Sequence, residues 1–210
     1  MGMHFGLLAA SATQQQLLAE LERHTGDFRL GDEAAAPFEV GLASDDDGWV
    51  TAIGERDGRS FLLDTSYVLS DSPDMIISMS ERLGVVVGGG AETVSGSYYL
   101  TVARDGDLLR HVFVLHAGMT RGMAIGDPLP TEAEHPVEDP DGDGLFAVLQ
   151  WLDLDASAWL ESGPAHSLRY SGTRRPEGGR AEQIRSEHYR RHARPEGEWL
   201  SEIQAVEREA

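Results

Sequence analysis

The 210-residue chain contains no cysteine, no lysine and no asparagine. Without cysteine there are no disulfides, no thiolate nucleophile and no thiolate metal ligands. Without lysine there is neither a Walker-A phosphate loop nor a Schiff-base nucleophile, because both need the amine. Without asparagine there is no N-glycosylation acceptor. All 17 basic residues are arginine. Lysine and asparagine share A-rich codons, so their joint absence points to a GC-rich genome rather than to selection on this protein. Long apolar runs are missing too, and no stretch reaches the ~18 residues of a membrane span. No lysine or arginine precedes Arg23, so the opening MGMHFGLLAASATQQQ lacks the positive region of a signal peptide. A cytoplasmic protein with no membrane contact is expected.

Positive charge is scarce and unevenly placed. Residues 1–170 hold 28 acidic residues against 9 arginines, which already gives the whole net charge of −19. Residues 171–210 hold 8 of each and are neutral. A field of this sign repels nucleic-acid phosphate and anionic lipid, so the main body is not expected to bind nucleic acid; it attracts basic proteins. The same acidity also serves solubility or a high-salt habitat. With 40% apolar and 25% charged residues, the chain can bury an ordinary globular core.

The local patterns predict an α+β protein. His4 to Ala10 reads as a strand, followed by a helix that Thr13 and Gln16 open with a capping-box spacing. Leu17, Leu18 and Leu21 form that helix's buried stripe, and Gly26 ends it. Residues 27–48 read as loop. Two hairpins follow, in WVTAIGERDGRSFLLD and SYYLTVARDGDLLRHVFVLH, each turning on Asp-Gly, which supplies the positive φ angles of a tight turn. Between them, DSPDMIISMSERLG predicts a helix with Ser72 as cap, Pro73 at its first position and Gly84 as stop. Met75, Ile76, Met79 and Leu83 share its core face. Residues 85–87 read as a strand, and 121–127 as the third strand of a meander. Leu145, Phe146, Leu149 and Leu152 line a further helix, and DASAWLESG forms a short one between Asp155 and Gly163. The expected architecture is a mainly antiparallel sheet with helices packed on one face.

Composition divides the chain at about residue 170. Residues 1–170 form a single α+β domain; residues 171–210 begin with the linker-like SGTRRPEGGR and continue as an Arg-rich helical arm. Trp199, Leu200 and Ile203 give the arm an apolar stripe that fits a partner or a homodimer contact.

No catalytic signature is present. The DPDGDG stretch places Asp139, Asp141, Asp143 and Gly144 as an EF-hand loop would. Its twelfth position is Gln150, which has no carboxylate, and prolines 128, 130, 136 and 140 remove the incoming helix. Asp141 or Asp143 is therefore expected to cap the next helix, with Asp139, Asp141 and Asp143 holding calcium weakly at most. No cofactor is expected. The triple glycine in VVVGGGAETVSG lacks the third glycine and the following helix of a dinucleotide loop, so it reads as a flexible connection. His188 and His192 share a helix face but sit among arginines, and His111 and His116 point to opposite faces of a strand. Ser95 and Ser97 have no local base, and no G-x-S-x-G elbow occurs.

The segment SYYLTVARDGDLLRHVFV…IGDPLPTEAEHP resembles a meander of uncharacterised bacterial α+β proteins of immunity, or toxin-neutralising, type. The resemblance covers roughly residues 47–160 and implies a fold, with no functional residue carried over. Together with the charge, it leads to the expectation of a non-enzymatic protein that binds a basic partner. The acidic residues Asp45, Asp46, Asp47, Glu132 and Glu134 are the expected contacts, with Trp199, Leu200 and Ile203 on the arm. An enzyme or ligand-binding domain with a site assembled from distant residues, and a self-associating structural protein, are the alternatives.

Overall fold

The computed structural model describes residues 4–26, 28–40, 43–45, 48–92, 97–114, 122–136 and 142–170. In chain order these form β1 (His4–Ala10), α1 (Gln14–Thr25), β2 (Phe28–Ala34), β3 (Ala43–Asp45), β4 (Gly48–Arg56) and β5 (Arg59–Asp64). There follow α2 (Pro73–Leu83), β6 (Val85–Glu92), β7 (Ser97–Arg104), β8 (Asp107–Val114), β9 (Gly122–Ile125), α3 (Gly142–Trp151), α4 (Ser157–Ser162) and β10 (Ala165–Tyr170). Short 3-10 turns occupy Pro37–Glu39 and Pro130–Ala133. The arm expected beyond residue 170, and with it Trp199, Leu200 and Ile203, lies outside the described residues.

All ten strands belong to one antiparallel sheet. Nine form a continuous path, β2-β10-β4-β5-β1-β6-β7-β8-β9, and β3 pairs with β4. The expected α+β class with a mainly antiparallel sheet is what the chain adopts. Its centre is a split βαβ arrangement used twice. β1 and β4 run parallel with β5 between them and α1 as crossover, while β5 and β6 run parallel around β1 with α2 as crossover.

Local chemistry explains the elements that were legible. The Thr13 hydroxyl accepts the Gln16 N–H at 3.3 Å, and the Gln16 side chain accepts the Thr13 N–H at 3.0 Å, which closes the capping box. The hairpin turns are left-handed at Asp57 and Gly58 (φ 53° and 72°) and at Asp105 and Gly106 (φ 52° and 85°). Pro73 opens α2, but the Ser72 hydroxyl does not cap it; it donates instead to the Val68 carbonyl at 2.6 Å. Asp155 holds α4 by accepting the Ser157 N–H at 2.9 Å, and that bond keeps its carboxyl below the usual aspartate range.

Helices cover both faces of the sheet, not one. Neighbouring glycines prove it, because successive strand residues point to opposite sides. A Cβ at Gly88 would collide with Ile76 of α2, and one at Gly89 with Leu145 of α3. The sequence of β1 already holds the reason: Phe5 to Ala10 are all buried, without the alternation of a strand with one wet face. Leu7, Phe61, Leu63, Val87 and Leu100 pack with Leu145, Leu149, Leu154 and Trp159 of the α3–α4 layer. Trp159 is fully buried, stacks on Phe61 at 5.4 Å, and donates its indole N–H to the Pro164 carbonyl at 3.1 Å. Each such side chain contributes about 1.5–3 kcal/mol on leaving water.

Two further expectations are corrected. Residues 27–48 are not all loop, since β2 and β3 lie there. β2 is an edge strand whose residues from Arg29 to Glu33 are exposed, so it pairs through backbone and carries no apolar alternation to read. The triple glycine is not a flexible connection either: Gly88, Gly89 and Gly90 are internal to β6 and pair with Leu8, Leu7 and Gly6 of β1. Among the described residues, no helix is long and apolar enough to cross a membrane.

Candidate functional site

The densest polar constellation begins where β5 stops. Asp64, its last residue, is fully buried, and a buried carboxylate needs several donors to stand in for water. It has five. One oxygen accepts the Ser66 N–H at 3.1 Å and the Ser66 hydroxyl at 2.6 Å. The other accepts the Leu69 N–H at 2.8 Å, the Ser70 N–H at 2.9 Å and the Ser70 hydroxyl at 3.0 Å. The loop from 65 to 72 is thus wrapped around one side chain, an aspartate-centred turn extended over six residues.

Two tyrosines from distant strands join this hub. The Tyr170 hydroxyl meets that of Ser66 at 2.5 Å, and the Tyr99 hydroxyl meets that of Ser70 at 2.6 Å. Gly6 and Gly90 make room, because a Cβ at either would run into the Tyr99 phenol. Tyr67 stands edge-on to Tyr99, with ring centres 5.8 Å apart and planes at 89°. Its φ of 59° is left-handed, a strained backbone for a residue with a side chain. Burial pushes the phenols of Tyr67, Tyr99 and Tyr170 above their ordinary range, reinforced by the negative charge of Asp64 and, at Tyr67, of Glu92. All three therefore stay protonated across the physiological range.

Chemically, this arrangement holds a loop in one shape. Asp64, Ser70 and Tyr99 make a carboxylate–hydroxyl–phenol chain, yet Asp64 and Ser70 are wholly excluded from solvent and the carboxylate is saturated with donors. What reaches the rim is the half-buried stretch from Thr65 to Val68. Deeper in the same sheet face, His111 is buried with its Nδ1 3.0 Å from the Thr101 hydroxyl. His116 lies outside the described residues.

The expected contact residues are dispersed. Asp45 ends β3 and pairs with Gly48, at the end of the sheet where Asp64 and Glu92 terminate their strands. Asp46 and Asp47 lie outside the described residues. Glu134 is exposed. Glu132 is not available as a surface contact, because it turns inward. Its carboxylate takes the Arg110 guanidinium in two bonds of 2.8 and 2.6 Å, while one oxygen also accepts the Leu129 N–H at 2.9 Å. An acid beside an otherwise unpaired buried arginine is drawn inside by the cost of leaving that charge alone. Arg110 is on β8, five strands from β4, or on the order of 24 Å away, so Glu132 and Asp45 form no common patch.

Of the calcium trio, Asp139 and Asp141 lie outside the described residues. Asp143 is exposed in the first turn of α3, where its charge complements the helix N-terminus. Among the described residues no group of three or more His, Asp or Glu is placed to hold a metal ion.

Sequence reasoning missed the Asp64 hub. The serine two residues after Asp64 is a recognisable turn signal, but the partners Tyr99 and Tyr170 are far off in sequence and carry no local mark. Comparisons with protein-family models, with curated proteins and with solved structures find no match.

Proposed function

We propose that the protein is a non-enzymatic acidic binding protein that neutralises a basic partner, in the manner of an immunity or inhibitor protein. One observation carries this reading: the acidic excess cannot be balanced within the fold. Among the described residues at least five of the nine arginines in residues 1–170 are engaged internally, Arg23 and Arg82 by Glu20, Arg56 by Asp57, Arg59 by Asp153 and Arg110 by Glu132. No arrangement of nine arginines neutralises 28 carboxylates, so most of the negative charge faces solvent. Such a field raises the on-rate of a basic partner and weakens as salt rises.

The test is capture of partners from the host's own lysate on the full-length protein at low salt, followed by a salt gradient. A single stoichiometric basic protein released as salt rises is the expected result. Recovery of the bait alone removes the reading. The Asp45→Ser, Asp47→Ser double variant should slow association with that partner; an unchanged on-rate excludes residues 45–47 as a contact.

A second reading, a ligand site assembled from distant residues, is favoured by Tyr67, whose strained backbone is pinned beside the buried hydroxyl cluster. A ligand that raises the melting temperature of the wild type but not of Tyr67→Phe would support it.

A further inference from the structure

We infer that β2 is the docking edge for the basic partner, which adds an extended, positively charged segment to the sheet as one further strand. This rests on the reading of the protein as an acidic binder and names where and how the partner is held. The sheet has two ends in its strand order. β9 is short, only Gly122–Ile125, whereas β2 spans the seven residues Phe28–Ala34 and pairs with β10 alone among the described residues. In an antiparallel ladder alternate residues direct both backbone groups to the same neighbour. About half of the N–H and C=O groups of β2 therefore point away from β10, the template that strand addition uses.

The side chains select the occupant. Asp32 and Glu33 are exposed on β2, and exposed Glu39 follows in the 3-10 turn. Leu30 is 48% exposed and Phe38 65%, two of the three large apolar side chains that stand out of the described surface. Arg29 is the one exposed cation of the strand, which leaves Asp32 and Glu33 in excess; these carboxylates beside exposed Leu30 suit a strand that carries both basic and apolar residues. Charges on an edge strand also guard against pairing between copies. The two roles agree here: a second copy of a chain at −19 is repelled, and a basic strand is admitted. Near the middle of β2 the register against β10 shifts between His166 and Leu168, which sets Gly31 and Asp32 opposite Ser167 alone. A bulge of this kind bends the edge and prevents a long flat pairing, so the added strand is short.

The test uses the full chain and two fluorescent ten-residue peptides of alternating lysine and valine. One is unmodified; the other is N-methylated at alternate residues, keeping charge and apolar content but losing backbone donors. The unmodified peptide should bind at least tenfold more tightly at low salt. Asp32→Lys with Glu33→Lys should weaken it by a further tenfold or more, while Glu134→Lys, in the 130s turn, should change it little. In the wild type, bound peptide should slow amide exchange within residues 29–34, a readout that needs no variant. Equal affinity for both peptides, or unchanged exchange in β2 with peptide bound, overturns the strand-addition mode while leaving the acidic-binder reading to its own capture experiment. Binding of neither peptide overturns it as well. So does a doubled solution mass that the Asp32/Glu33 variant abolishes, since the edge would then belong to a second copy.

Discussion

Arg110 and Glu132 form a two-pronged ion pair with side chains only 5% and 9% exposed, and Arg110 also donates to the Gly126 carbonyl at 2.6 Å. The pair ties the 3-10 turn at Pro130–Ala133 to the middle of β8. Removing one partner strands a buried charge, so Glu132→Ala should lower unfolding free energy by about 3–5 kcal/mol in urea titrations. The double variant Arg110→Met, Glu132→Leu should recover much of that loss. A double variant as unstable as the single would show that the pair itself, rather than the stranded charge, carries the effect.

Asp64→Asn keeps the shape of the hub but exchanges one acceptor oxygen for an NH2 group. At least two of the five donors around it then lose their partner, and a charge-assisted bond contributes about 1.5–3 kcal/mol. The expected loss is about 3 kcal/mol, accompanied by faster amide exchange at Leu69 and Ser70. Wild-type exchange at those two amides would mean the loop is held by its tyrosines instead.

Alanine at Gly88 and at Gly89 should differ although the residues are adjacent. The new methyl at 88 meets the Ser70 backbone carbonyl, which is fixed by the Asp64 hub. At 89 it meets the end of the Leu145 side chain at 2.6 Å, and a leucine can change rotamer. Overpacking costs about 1–3 kcal/mol, so Gly88→Ala belongs at the upper end and Gly89→Ala at the lower. Equal melting temperatures for the two variants would contradict this asymmetry.

His24 gives the fold a pH dependence of known sign. It lies one turn after Glu20 on α1, facing α2, and its Nε2 is buried without a hydrogen-bond partner. Burial lowers its pKa from 6.5; Arg82 and Arg23 push the same way, while Glu20 and Glu81 oppose. The unfolded chain therefore binds the proton more readily than the fold, and stability falls as pH drops below about 6.5 toward the lowered folded value. His24→Gln should flatten that slope relative to wild type in thermal melts between about pH 5 and 7. Parallel slopes would exclude His24 as the cause.

Legibility in the sequence followed the range of the interaction. The turns at Asp57-Gly58 and Asp105-Gly106 were readable because a positive φ is a demand that two adjacent residues meet by themselves. The cap of α1 is likewise complete within four residues. Gly88 to Gly90 misled because glycine there provides room for Ile76, Leu145 and Tyr99, a spatial requirement that looks like flexibility in one dimension. β2 was unreadable because an edge strand with five exposed residues has no apolar period. At the Asp64 hub, the aspartate and serines are local, whereas the bond from Ser66 to Tyr170 spans 104 residues. Glu132 was one acid among many until the sheet placed Arg110 beside it.

The position of β10 has a consequence for synthesis on the ribosome. Among the described residues β2 enters the sheet only through β10, and β10 is also the strand that pairs with β4 on that side. Residues 28–34 therefore leave the exit tunnel early and find no register until Tyr170 has emerged. Closing so long a loop is slow relative to the hairpins. The split βαβ centre can assemble first, once Glu92 is out, while β2 waits as an unpaired segment within the β1–β4 connection. Repulsion between chains with a large negative excess would keep nascent copies on one polysome apart during that interval.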